Sequence, residues 1–158
     1  MDIAKQTLEK LENDVWAEPT FDSHLETTCH RLRKVPIDEF EVEDFRIMIG
    51  QDLGLKFLMP FALEILEENP LAEGDYYPGD LMKAVLTVRS DFWSGNREIL
   101  RRCIHMAEGT VERFRSKWDL KKKKAEFDFG AKMDTKSVAD EDEWKAYEIC
   151  QEFLGKNR

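Results

Sequence analysis

Apolar residues recur at helical spacing along most of this 158-residue chain. Leu8, Leu11 and Val15 fall on one helical face. Leu25, Cys29 and Leu32 fall on another, behind Ser23 and Glu26, whose three-residue offset suits a capping box. Pro36 closes that second element. Val42, Phe45, Ile49 and Leu53 mark a third helix, with Gly50 and Gly54 near its end. Leu55, Leu58, Ala62, Ile65 and Leu66 form the stripe of a fourth. Pro60 lies inside that stripe, so either the helix is kinked or Pro60 occupies its first turn and a shorter turn precedes it.

Leu81, Val85 and Val88 predict a short helix that stops before the aromatic-polar segment Asp91 to Asn96. Leu100, Cys103, Ile104, Ala107, Val111 and Phe114 describe the longest amphipathic stretch, interrupted only by Gly109. Trp144, Tyr147, Cys150 and Leu154 mark a final helix. Between these two, residues 120–137 carry a lysine run, then the alternating A-E-F-D-F-G, and no helical stripe, which predicts a loop or a small hairpin. Strands do not alternate with helices and no glycine-rich phosphate loop is present, which argues against an α/β nucleotide fold. The expectation is an all-α, single-domain array of about six or seven helices spanning residues 1–158.

The most distinctive segment runs from Leu66 to Leu86. Pro70 disfavours helical geometry at Asn69, so the fourth helix should end near Glu68. Gly74 supplies a flexible position, Pro78-Gly79 fits the two central places of a type II turn, and a new helix should start near Asp80. Glu67 and Glu68 then stand in a last helical turn, where each carboxylate opposes the macrodipole at about 0.3 to 1 kcal/mol. Such a locally unfavourable choice points to recognition by another protein through Glu67, Glu68, Glu73, Asp75, Tyr76 and Asp80. The plainer reading is that nearby cations offset the acids and that Tyr76 and Tyr77 only pack the loop.

The strings L-E-N-D-V-W (Leu11 to Trp16), T-T-C-H-R-L-R-K (Thr27 to Lys34) and V-E-D-F-R-I-M-I-G-Q (Val42 to Gln51), with the loop just described, resemble immunity proteins of bacterial contact-dependent growth inhibition systems. The resemblance covers about the first half of the chain. It implies a cytoplasmic protein, not an enzyme, that binds the toxic C-terminal domain of a matching secreted effector and blocks it. It assigns no individual contact residue. Residues 1–117 form the helical core that carries the likeness, and residues 118–158 a C-terminal part suited to a family whose partner choice varies.

Charge sharpens the expected partner. Residues 1–80 hold 19 Asp and Glu against 7 Lys and Arg, a balance of −12, whereas residues 81–158 hold 14 against 17, a balance of +3. An acidic first half repels phosphate backbones and attracts basic surfaces, so a basic protein partner fits it better than nucleic acid. Acidity also simply keeps a protein soluble. Combined with the resemblance, the charge points to a nuclease as the toxin, because nuclease active sites bind polyanions and clustered carboxylates can stand in for phosphates.

Candidate chemistry is sparse. Cys29, Cys103 and Cys150 form an odd set without C-x-x-C spacing, which fits reduced thiols rather than a disulfide framework. At about 100° per residue, His24, Cys29 and His30 diverge around a helix, which leaves Cys29 for the core and the histidines at its edge. Cys103 and His105 diverge similarly. Glu64, Glu67 and Glu68, or Asp38, Glu39, Glu41, Glu43 and Asp44, could bring two acids together, but nothing specifies the cleft an acid-base pair needs. Lys121 to Lys124, with Trp118, Phe127 and Phe129, could grip a single nucleic-acid strand, but against the acidic bulk a solvated loop, pairing with acids such as Asp140 to Glu143, or a secondary partner contact fits better. The N-terminus lacks a basic region followed by an apolar run, and Phe57 to Leu63 is too short to span a bilayer. The expected protein therefore needs no cofactor, metal or membrane. The competing expectation is a helical adaptor for a basic cellular protein.

Overall fold

The computed structural model describes residues 1–20 and 23–158. Among them the regular structure is helical throughout: α1 (Leu8–Leu11), α2 (His24–Leu32), α3 (Val42–Gly50), α4 (Leu55–Glu68), α5 (Asp80–Leu86), α6 (Asp91–Gly95), α7 (Arg97–Phe129), α8 (Thr135–Val138) and α9 (Glu141–Asn157). Six of these have seven residues or more, as the periodicity predicts, and among the described residues the only sheet-like feature is an isolated bridge between Glu73 and Pro78. The class is all-α.

One apolar core runs through the array. Leu32, Met48, Ile49, Leu58, Met59, Leu63, Leu66, Leu81, Met82, Val85 and Cys103 are buried within it, and α9 closes it with Cys150, Phe153 and Leu154. The long α7 packs against α4 on one side and α9 on another, and α3 lies against α2, α4 and α5. A smaller cluster sits where α7 meets α9. There Trp118 is fully buried, stacks on Phe114 with ring centroids 5.6 Å apart and meets Tyr147 edge-on. Its indole N–H donates to the buried Glu143 carboxylate at 2.9 Å, which also takes the Lys117 ammonium.

Three local expectations change or are decided. Helix α1 stops at Leu11 because Asn13 adopts a left-handed φ of 49°. The chain beyond it then wraps the buried Arg33, which pairs with Glu12, donates to the Asp14 carbonyl at 2.6 Å and lies under the Trp16 ring. Val15 is left exposed. Pro60 sits beyond the first turn of an unbroken α4, so the Lys56 carbonyl loses its helical donor and the alternative that Pro60 occupies the first turn falls. The Asp91 to Asn96 segment is itself a short helix, with Phe92 and Trp93 turned into the core.

The largest correction concerns residues 120–137, which hold no hairpin. Helix α7 is 33 residues long and continues through the lysine run to Phe129, where Gly130 caps it at φ 67°. Lys, Ala and Glu are strong helix formers and need no apolar stripe where the helix runs past its packing partners. The chain then turns back, with the Met133 N–H on Glu126 at 3.1 Å and Lys122 on the Thr135 hydroxyl at 3.4 Å.

Candidate functional site

The loop between α4 and α5 is built from its far end. The Asp80 N–H donates to the Tyr77 carbonyl at 3.1 Å while Gly79 sits at φ 94°, ψ 3°. These are the bond and the third-residue geometry of a type II turn over Pro78-Gly79, and a side chain at Gly79 would be strained. The turn delivers the Asp80 carboxylate back under the loop, where it is only 4% exposed. There it accepts from the Gly74 N–H at 2.7 Å and the Tyr76 N–H at 3.1 Å.

A second carboxylate supports the same loop from α3. Glu43 accepts the Asp75 N–H at 2.8 Å and takes a bidentate pair from Arg46, one helical turn along. Arg46 in turn lies 3.8 Å from Asp80 and beneath the Tyr76 ring, 4.5 Å from its centroid. The guanidinium and the Asp75 N–H hold the Glu43 carboxyl below the usual carboxylate range against the opposing effect of burial. Glu43 raises Arg46 in return, chiefly through the hydrogen bond. The parts meet so closely at Gly74 that a Cβ there would collide with the Glu43 carboxylate and lie 3.1 Å from Asp80 Oδ2.

Three of the six sequence candidates face outward from this support: Glu73, Asp75 and Tyr76, the tyrosine 72% exposed. Asp80 belongs to the same unit but points inward and shapes the backbone. Glu67 points elsewhere, pairing with Arg102 of α7 at 2.9 and 3.2 Å, so a cation offsets its position at the end of the α4 dipole. Glu68 lies on the rim of a cleft of about 290 Å³ between α3, α4 and the turn Ile37–Glu39. Phe40, Phe45, Phe61 and Ile65 line its floor, and Asp38 and Glu64 share the rim with Glu68. Among the described residues no Lys or Arg pairs with those three acids.

Sequence reasoning missed Glu43 and Arg46 as supports of the loop. Their three-residue spacing is a readable helical ion pair, but the partner at Asp75 lies 32 residues away and leaves no local trace. The cleft was missed too, because its floor comes from three elements.

Among the described residues no group of three or more His, Cys, Asp or Glu could hold a metal ion. All three cysteines are buried free thiols, and burial pushes Cys150 up to about 12 and raises Cys29 and Cys103 as well. Among the described residues no helix is long and apolar enough to cross a membrane.

The family model of CDI immunity proteins matches residues 10–103, more than half of the chain. The chain belongs to this family. The match takes in α2 to α6, the supported loop with Glu43, Arg46 and Asp80, and the first turns of α7 that carry Arg102. The rest of α7, α8 and α9 lie beyond it. Neither a curated protein nor a solved structure matches the chain.

Proposed function

We propose that this CDI immunity protein acts in the cytoplasm by binding the toxic C-terminal domain of its matching effector, a basic nuclease domain, and covering its active site. Family membership supports the neutralising role. The observation that carries the binding face is the supported loop: Glu73, Asp75 and Tyr76 project from a backbone already fixed by Asp80, Glu43 and Arg46. Little entropy is lost when such a surface binds, and an exposed tyrosine adds contact area with few rotatable bonds. The imbalance of −12 over residues 1–80 suits fast encounter with a cationic groove that normally receives polyanions. Glu68 extends the acidic surface at the end of α4, Glu67 joins the face as an ion pair with Arg102, and no cofactor takes part.

Calorimetry with the effector's isolated toxic domain tests the assignment. Replacing Glu68, Glu73 and Asp75 with their amides and Tyr76 with alanine should weaken binding by at least about 1 to 2 kcal/mol while helicity is retained. Unchanged affinity would move the contact face to Asp38–Asp44 and the adjoining cleft. Catalytic destruction of the toxin at substoichiometric immunity protein would overturn inhibition by occlusion.

A further inference from the structure

The returning chain after Gly130 covers one side of the α7 tip, the side bearing Lys122 and Glu126. Leu120 and Phe127 are seven residues apart, about 20° from eclipsed at 100° per residue, and Lys123 and Lys124 fall between them on the same outer face. That face is bare: Leu120 is 69% and Phe127 90% exposed. Neither lysine pairs with a carboxylate among the described residues. An aromatic ring flanked by two free ammonium groups calls for an apolar pocket with an acidic rim.

The same molecule carries one. The cleft between α3 and α4 has a floor of Phe40, Phe45, Phe61 and Ile65 under the unpaired Asp38, Glu64 and Glu68, and its volume of about 290 Å³ has room for an aromatic side chain. We infer that the α7 tip of one copy docks in this cleft of a second copy, Phe127 entering the floor while Lys123 and Lys124 meet the acidic rim. Local charge complementarity favours this occupant: the net charge of −9 repels a nucleic acid, an anionic membrane and a second copy alike at long range, but of these only the second copy brings carboxylates around an apolar cleft to the lysines. If both tips engage reciprocally, the pair closes on a two-fold axis; a single engagement propagates head to tail. This inference does not depend on the toxin-binding reading, and its test contains no toxin.

Sedimentation equilibrium of the intact chain over a wide concentration range, at low and high salt, is the measurement. The expected result is concentration-dependent self-association that weakens as salt rises. Phe127→Ser, the tip reversal Lys123→Glu with Lys124→Glu, and the cleft reversal Glu64→Lys with Glu68→Lys should each reduce self-association at least tenfold. Mixing the two charge reversals should restore association, since each then offers the other a complementary tip and cleft. Circular dichroism checks that each variant is folded, and Asp38→Lys replaces the cleft reversal if that variant loses helicity. A wild-type chain that stays monomeric at every concentration overturns the proposal, as does a mixture that fails to associate. Capture of single-stranded RNA or anionic vesicles through Lys123 and Lys124 by a chain that remains monomeric overturns it as well, and identifies the other occupant.

Discussion

The loop over residues 69–79 and the tip of α7 both expose aromatic and charged side chains, yet they are held in opposite ways. In the loop, two carboxylates take three backbone N–H groups, and Arg46 joins them to each other and to Tyr76. At the tip, beyond the packing of Trp118, the helix keeps its form by its own backbone bonds and two polar contacts with the returning chain. Exposure is similar in the two places, with Tyr76 at 72% and Phe129 at 78%. Irregular backbone therefore holds a shape only where buried polar groups specify it, whereas a helix of Lys, Ala and Glu specifies itself.

The strongest way to break this contrast is Asp80→Ala. It strands the Gly74 and Tyr76 N–H groups and removes a counter-charge from Arg46, and should cost about 2 to 4 kcal/mol in urea unfolding. It should also speed amide exchange over residues 74–76. Unchanged exchange there would mean that the loop is no better specified than the tip. Gly74→Ala is next, because its Cβ meets the Glu43 carboxylate and Arg46; about 1 to 3 kcal/mol of destabilisation is expected from overpacking.

Acid provides a third, smaller test. Glu43 is held below its unfolded value, so its contribution is fully present above that value, near about 4.3, and is lost as the pH falls through the lower folded one. The stability advantage of the wild type over Glu43→Gln should therefore be constant at neutral pH and shrink in acid. An advantage that persists at strongly acidic pH would show that the Arg46 pair is not its source. The smallest effect belongs to the tip: Phe127→Ser and Phe129→Ser should each move stability by no more than about 0.5 kcal/mol, since neither ring is packed. A larger loss in dilute solution would mean that the tip is packed against its own chain.

Much of the fold was legible because buried stripes repeat with the helical period. Phe45 and Ile49, Leu58 and Ala62, Leu81 and Val85, and Cys150 and Leu154 all lie in the core. The Pro78-Gly79 turn was legible for a different reason, since Pro fixes φ and Gly alone tolerates the next position. Reading failed where periodicity was the wrong guide. The α7 tip has no apolar stripe because the returning chain meets it through polar contacts, and the apparent alternation of Phe127 and Phe129 mimics a strand. Val15 fits the spacing of α1 but follows a left-handed Asn13 that lets the chain wrap Arg33.

By itself, then, the sequence determined the helical class, the ends of α3 and α4, the turn into α5 and the acidic half, because each rests on neighbours within a few residues. Only the tertiary structure decided that Asp80 faces inward, that Glu67 is paired with Arg102, and that Glu68 joins Asp38 and Glu64 above an apolar cleft. Those outcomes depend on which helices come side by side. A carboxylate reads the same in sequence whether it meets an N–H group, a guanidinium or water.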